Sequence, residues 1–249
     1  MASPLFFAGT SGMVFHESNK SAFPPAFQHK SRLTYYASLH NSLEVNSSWY
    51  KVPQVATVAR WAEEVPAGFR FTFKLWKAIT HAKDFSFTKE DIRHFMQAIA
   101  PASHRKGCLL LQFPPSLRMD KIAALSHLLE VIAANNTVAG WDIALEFRHL
   151  SWYALPTFQL AEKYGAAIVL HDMPGSGLAP ITTQAPFIYL RFHGPAGNYK
   201  GGYPETVLQQ FAARIRTWMN AGKKVYVYFN NTMGEALPNL HRLRYLVNG

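Results

Sequence analysis

Eight short, mostly apolar segments recur along the chain, and each is bounded by turn-forming residues. In five of them apolar and polar side chains alternate with a period of two, which is typical of β-strands. The predicted strands span residues 5–9, 42–46, 69–75, 108–113, 142–147, 166–170, 187–193 and 224–230.

Amphipathic helical patterns separate most of these segments. Thr88 and Asp91 have the spacing of a capping box, and apolar residues from Ile92 to Ile99 then recur at helical spacing. Strands joined by single helices run parallel with right-handed crossovers. We therefore predict an α/β fold, a (β/α)8 TIM-type barrel that forms a single domain over residues 1–249. Residues 172–185 hold two Gly and two Pro without a helical period, which predicts a loop in place of the sixth helix.

Polar side chains share one face of several predicted strands. Glu44 and Asn46, for instance, lie opposite Leu43 and Val45. Because the apolar set should pack on the helices, we expect the polar set to point into the barrel. Buried charges need partners or a ligand.

These polar side chains concentrate at the C-terminal ends of the strands, where (β/α)8 barrels build their active sites. Glu146 and His193 are the candidate catalytic residues, because a buried carboxyl group and an imidazole can exchange protons near neutral pH. Arg191 suits a carboxylate or phosphate, and Lys74 adds a second positive charge. The candidate substrate-binding residues are Glu44, Asn46, Lys74, Gln112, Arg148, Arg191 and Asn230.

Two other interpretations of the same residues stay open. One is an interior ion-pair network without a ligand, in which Glu44 pairs with Lys74 and Glu146 with Arg191. The other is a divalent-metal-dependent hydrolase, in which His171 and Asp172 join nearby carboxylates. No compact ligand motif such as H-E-x-x-H occurs, so we assign no metal ligand.

The charge balance favours anionic partners. Lys and Arg total 25 against 15 Asp and Glu, a formal net charge of +10. The aromatic residues of the predicted rim loops are Trp49, Tyr50, Trp76, Trp152, Tyr199 and Tyr203. Together with the charge, they keep a non-catalytic nucleotide- or nucleic-acid-binding module as an alternative. No basic run exceeds two residues, so a shortage of surface acids explains the charge equally well.

The remaining composition indicates a globular protein. Hydrophobic residues make up 49% of the chain, which suffices for a large core. The lone cysteine, Cys108, lies in an apolar run and is expected to be a core residue. No apolar run approaches the roughly 20 residues that span a bilayer, and no signal peptide is evident, so we expect a cytoplasmic protein with no membrane partner. The sequence identifies neither a cofactor nor an oligomeric state.

Several motifs occur in a fixed order: GTSG at 9–12, LEVNSSWY at 43–50, LQFPP at 111–115, EFRHLSW at 146–152, RFHG at 191–194 and YFNN at 228–231. Together they resemble the family called domain of unknown function 72 (YecE-like) over nearly the whole chain. The resemblance implies a TIM-type barrel and supplies no activity. Two positions depart from it: Met13 stands where the family usually carries Trp, and Phe23-Pro24-Pro25 replaces an aromatic-Pro pair. The polar set at the strand ends is intact.

We therefore expect an enzyme that acts on a small anionic or phosphorylated substrate at the strand C-termini. Glu146 and His193 would transfer protons, and Arg191 and Lys74 would bind the anion.

Overall fold

The computed structural model describes residues 5–173 and 185–249 and shows an α/β fold. The strands in this part of the chain are β1 (Phe6–Thr10), β2 (Ser42–Val45), β3 (Arg70–Lys74), β4 (Lys106–Gln112), β5 (Asp142–Glu146), β6 (Ala167–Ile168), β7 (Leu170–His171), β8 (Phe187–Phe192) and β9 (Lys224–Phe229). The helices are α1 (Arg32–Leu39), α2 (Ser47–Tyr50), α3 (Val55–Glu63), α4 (Lys77–Thr80), α5 (Lys89–Ile99), α6 (Ile122–Asn135), α7 (Leu155–Lys163), α8 (Glu205–Asn220) and α9 (Ala236–Asn248). Short 3-10 helices occupy Lys20–Ala22, Pro25–Phe27, Lys83–Phe85, Ala100–Arg105, Met119–Lys121 and Leu150–Trp152.

All eight predicted strand segments contain a strand, and the sixth is divided at Val169 into β6 and β7. The predicted capping box is confirmed at the start of α5. The Asp91 amide donates to Thr88 Oγ1 at 3.0 Å, and the Thr88 amide donates to Asp91 Oδ2 at 3.2 Å. Most of the predicted loop at 172–185 lies outside the described residues, because these exclude 174–184.

The strands form two parallel sheets. One has the order β1-β9-β8-β7 and the other the order β2-β3-β4-β5-β6. At Val169, between β6 and β7, the chain passes from the five-stranded sheet to the four-stranded sheet. The Val169 amide donates to the Leu145 carbonyl at 2.8 Å. At their other border β1 approaches β2, and the two segments share an isolated parallel bridge between Ser11 and Glu44. The predicted closed barrel is not confirmed, since the described residues form two sheets without continuous strand pairing around the molecule.

Side chains explain why β1 and β2 do not form a ladder. The Thr10 amide donates to Tyr36 Oη at 2.7 Å, and the Ala8 amide donates to Asn41 Oδ1 at 2.9 Å. Asn41 Nδ2 in turn donates to the Phe6 carbonyl at 2.8 Å. The side chains of Tyr36 and Asn41 therefore satisfy the backbone hydrogen-bonding groups at the free edge of β1. These contacts replace backbone pairing with β2.

The strand faces divide as the alternation predicts. Leu43, Val45 and other apolar residues of β2–β5 pack against α3, α5 and α6, while β8 and β9 pack against α8 and α9. The opposite faces meet in the interior in a smaller cluster that contains Cys108 and Tyr228. Cys108 is fully buried there, as expected. This interior cluster lies beneath the polar residues at the strand C-termini.

Candidate functional site

Arg191 of β8 lies at the centre of the polar cluster and is almost fully buried. Its Nε and Nη2 donate to the two oxygens of Glu44, from β2, at 3.0 and 2.7 Å. Its Nη1 donates to Glu146 Oε2, at the end of β5, at 2.6 Å and faces His193 Nε2 at 3.3 Å. A further contact joins Nη2 to Ser11 Oγ at 3.3 Å. A guanidinium group has five N–H donors, so every donor of Arg191 has a protein partner.

Glu146 is held between two guanidinium groups. Its Oε1 accepts from Arg148 Nε at 2.5 Å, and its Oε2 accepts from Arg191. Burial raises the pKa of a carboxyl group, but here Arg148 and Arg191 outweigh burial and hold the pKa of Glu146 well below its usual range. Glu146 is therefore an ionised carboxylate at neutral pH.

Glu44 is held in a similar way by different donors. The Ser11 hydroxyl donates to its Oε1, and the Tyr189 hydroxyl donates to its Oε2 at 2.6 Å. Burial opposes ionisation, yet Arg191 lowers the pKa of Glu44 below its ordinary value. Asn46 extends this network, because its Nδ2 donates to Ser11 Oγ at 2.7 Å.

His193 follows β8 and is fully buried as a neutral imidazole. Arg148 Nη2 and Arg191 Nη1 face its Nε2 at 3.2 and 3.3 Å. Because guanidinium groups only donate, this nitrogen must accept, which places the proton on Nδ1. Nδ1 lies 3.2 Å from Asp172 Oδ1 and donates to it. Burial, the largest influence, lowers the pKa of His193 and keeps the ring neutral.

Asp172 fixes this histidine from the other side. Its Oδ1 also accepts from the His193 amide at 2.8 Å, and its Oδ2 accepts from the Tyr203 hydroxyl. Tyr203 Oη in turn accepts from the Gly194 amide at 2.6 Å. Asp172 was assigned in the sequence only to a hypothetical metal site, and Tyr203 only to the rim aromatics.

A pocket opens above this network at the strand C-termini, with a volume of about 280 Å³. Five of the predicted site residues line it, together with three rim aromatics and His81: Asn46, Trp49, Tyr50, Lys74, His81, Gln112, Arg191, Tyr199 and Asn230. Lys74 and Gln112 are the last residues of β3 and β4, and Asn230 follows β9. The predicted concentration of polar side chains at this edge is thus present in the structure.

Lys74 is the unusual member of this lining. Its Nζ lies 4.6 Å from the ring centre of Trp49 and, within residues 5–173 and 185–249, has no hydrogen-bond acceptor and no carboxylate partner. The Glu44–Lys74 pair of the alternative ion-pair network is not formed, because Arg191 occupies both oxygens of Glu44. Burial and the nearby Arg191 lower the pKa of Lys74 to about 8.

The rest of the lining supplies uncharged polar groups. Gln112 Nε2 donates to the Phe113 carbonyl at 2.9 Å, which fixes the orientation of its amide. Asn46 Oδ1 and Trp49 Nε1 are buried atoms that have no hydrogen-bond partner in the described part of the chain. Burial, then Lys74, lowers the pKa of His81 to about 4, so His81 is neutral. His81 was not predicted as a site residue, since nothing in its local sequence pattern places it beside Lys74.

The described residues contain no group of three or more His, Cys, Asp and Glu side chains that could hold a metal ion. The carboxylates of Glu44 and Glu146, which the hydrolase alternative requires, are both engaged by arginine. Among the same residues, no helix has the length and apolarity to cross a membrane.

Residues 7–249 match the family model described as protein of unknown function DUF72. The UPF0759 protein YunF of Bacillus subtilis is 24% identical to this chain over an alignment of 262 residues. The alignment covers 92% of this chain and 90% of that protein. The crystal structure of a DUF72 family protein from Thermotoga maritima has a TM-score of 0.79 at 26% identity and covers 98% of this chain and 100% of that chain. A DUF72 family protein from Enterococcus faecalis has a TM-score of 0.81 at 21% identity, covers 98% of this chain and 96% of that chain, and shows similarity of fold alone. The match over almost the whole length shows that this chain belongs to the DUF72 family.

Proposed function

We propose that the pocket at the strand C-termini binds a small anionic or phosphorylated compound and that the protein acts on it as an enzyme. The observation that carries this proposal is Lys74, a desolvated cation that faces the pocket and forms no ion pair with a carboxylate of the described residues. A phosphate or carboxylate would supply the missing counter-charge. The amides of Gln112 and Asn230 would orient its oxygen atoms.

Arg191 has a different role in this proposal from the one expected. All five of its donors are engaged, so a bidentate contact with a ligand would displace protein partners, and two buried carboxylates already balance its charge. We therefore assign it to the support of the pocket. Its charge, balanced by Glu44 and Glu146, fixes the relative positions of the ends of β2, β5 and β8.

We assign Glu146 and His193, the predicted acid–base pair, to the structural support of the pocket together with Arg191. Glu146 is clasped by two guanidinium groups, and His193 Nε2 accepts from the same two groups. Proton exchange is assigned to Lys74, whose pKa of about 8 leaves a usable neutral fraction near pH 7.

The scaffold we propose for this site is one barrel of the TIM type, in which the bridge between Ser11 and Glu44 joins the two sheets.

The test measures thermal stability with phosphate, sugar phosphates and nucleotides at fixed salt. A ligand at about 100 times its Kd adds about 2.7 kcal/mol of stability, which raises the Tm of a chain this size by roughly 5–10 °C. We expect such a shift in the wild type and in Lys163→Gln, a control lysine that lies over Tyr164 away from the pocket. The shift should be absent in Lys74→Gln. Equal shifts in Lys74→Gln and the wild type would refute the assignment.

One observation favours a second candidate, the binding of nucleotides or single-stranded nucleic acid. Lys77 Nζ lies 5.5 Å from the ring centre of Trp49 and 5.6 Å from that of Tyr50, and Tyr50 is 65% exposed. Aromatic rings beside lysines stack on bases and contact phosphates. This candidate predicts oligonucleotide affinity that falls steeply with salt and that weakens in Tyr50→Ala. Salt-independent binding, or none, would exclude it.

A further inference from the structure

A second pocket lies at the opposite end of the strands, with a volume of about 430 Å³. Its charged lining comes from the first residues of four strands, namely Arg70 of β3, Lys106 of β4, Asp142 of β5 and Lys224 of β9. Because the strands run parallel, their first residues gather at one edge, as their last residues do at the other. This convergence places three cationic side chains around one opening, and none of them belongs to the site described above.

The single carboxylate in this lining does not neutralise them. Asp142 accepts from Lys224 Nζ and from the Tyr226 hydroxyl through the same oxygen, Oδ2. Arg70 and Lys106 pair with no carboxylate in the described part of the chain. One other ionisable side chain, His104, lines the opening, and its Nε2 lies 3.9 Å from Glu63 Oε1. The pocket therefore carries more positive than negative charge.

Arg70 and Lys106 are held in place by carbonyl groups and keep donors free for a ligand. Arg70 Nη1 donates to the Ala67 and Phe69 carbonyls at 3.0 and 2.8 Å, so its Nε and Nη2 have no acceptor among the described residues. Lys106 Nζ donates to the Ala139 carbonyl at 2.8 Å, which leaves two of its three N–H groups. A cation whose position is fixed loses less conformational entropy when it binds an anion.

An aromatic floor supports this arrangement. The rings of Phe7 and Tyr226 stack at a centroid distance of 5.2 Å, and the guanidinium group of Arg70 lies 5.4 Å from the ring centre of Phe7. Both aromatic residues are buried. They belong to the interior cluster and form its boundary with the pocket, where the Phe7 ring contacts Arg70.

We propose that this pocket is a second binding site, specific for a small oxyanion with two or more negative charges, such as a phosphoryl or polycarboxylate group. Arg70 and Lys106 contact the anion directly. Lys224, held by Asp142, adds to the positive potential. The site is independent of the function proposed for the opposite pocket.

The test is isothermal titration calorimetry with pyrophosphate and, separately, citrate, at about 150 mM NaCl so that weak surface attraction is screened. These two probes distinguish a phosphoryl ligand from a carboxylate ligand. Loss of one charge-assisted hydrogen bond weakens binding by about tenfold or more. We expect this loss in Lys106→Gln and in Arg70→Gln, while Lys74→Gln and the surface control Lys163→Gln keep wild-type affinity for this site.

Three results would overturn the proposal. They are the absence of saturable binding of both probes to the wild type, unchanged affinity in Lys106→Gln, and loss of binding in Lys74→Gln alone. The last would place the anion in the strand C-terminal pocket and support the function proposed there. Lys106 is exposed, so we expect its replacement to leave the fold intact. A thermal melt of each variant checks this before titration.

Discussion

Arg191 and Glu44 form a two-point ion pair between the two sheets. Nε and Nη2 of Arg191, in β8, donate to Oε2 and Oε1 of Glu44, in β2, at 3.0 and 2.7 Å. The strands are far apart in sequence and belong to different sheets. The pair therefore joins the sheets across the interior and holds the border where β1 and β2 lack a backbone ladder.

Replacement of Arg191 by Met should strongly destabilise the protein. The variant leaves Glu44 and Glu146 buried without their common cation, and removing one partner of a buried pair costs about 3–5 kcal/mol. Denaturant unfolding would measure the free energy of unfolding. Adding Glu44→Gln and Glu146→Gln to Arg191→Met should recover part of the loss, because the neutral amides need no counter-ion.

The surface of the same chain offers a matched control. Arg242 forms a two-point pair with Glu205 through Nε, Nη2 and both carboxylate oxygens, but both side chains are exposed. Arg242→Met should change stability little, because water screens the exposed pair. Similar losses in the two Arg variants would contradict the role we give to burial.

Gly9 should not tolerate alanine. A Cβ at this position would lie 1.9 Å from the Ser42 carbonyl oxygen and 2.9 Å from Tyr36 Oη. The Tyr36 hydroxyl is the group that satisfies the Thr10 amide, so the added methyl must move the β1–β2 border. We expect Gly9→Ala to lower the melting temperature markedly, as large strain does. Gly68→Ala is the control, since its Cβ meets no described residue within 4 Å, and a comparable loss there would disprove the explanation.

His193 should remain neutral at pH 6.5 with its proton on Nδ1. Burial lowers its pKa, two guanidinium groups face Nε2, and Asp172 accepts from Nδ1. Nitrogen-15 NMR of histidine-labelled protein distinguishes this tautomer from the other one and from the imidazolium ion. Asp172→Asn should disturb the tautomer, because an amide can donate as well as accept. A charged His193 in the wild type at pH 6.5 would contradict the arrangement.

Binding of anions in the strand C-terminal pocket should weaken as the pH rises through about 8. Lys74 has a pKa of about 8, so below this pH it offers a positive charge and above it the charge is lost. Sulfate is a suitable probe because its own charge is constant in this range. We expect the affinity to fall by up to about tenfold per pH unit above the pKa.

Lys74→Arg provides the control for this pH dependence, since arginine stays charged throughout. It should bind sulfate with an affinity that does not change between pH 7 and pH 9. A wild-type affinity that is also constant over this range would show that Lys74 does not carry the binding.

The sequence by itself determined the strands and the end at which their polar residues gather. Alternation with a period of two is a local property, so the positions of Glu44, Glu146 and Arg191 on the inner faces could be predicted. Strand ends are also local, which is why Lys74, Gln112 and Asn230 were expected at one edge. The family motifs implied a TIM-type barrel, of which the α/β fold with parallel strands is confirmed.

Only the tertiary structure decided which of these charges pair. A pair between Lys74 and Glu44 was one open interpretation of the sequence, but the arrangement of β8 against β2 places Arg191 on Glu44 and leaves Lys74 in the pocket. Tyr36 and Asn41 satisfy the edge of β1 and replace the backbone ladder that a closed barrel needs. These outcomes depend on atoms brought within about 3 Å by strand register and packing, which hydrophobic periodicity does not encode.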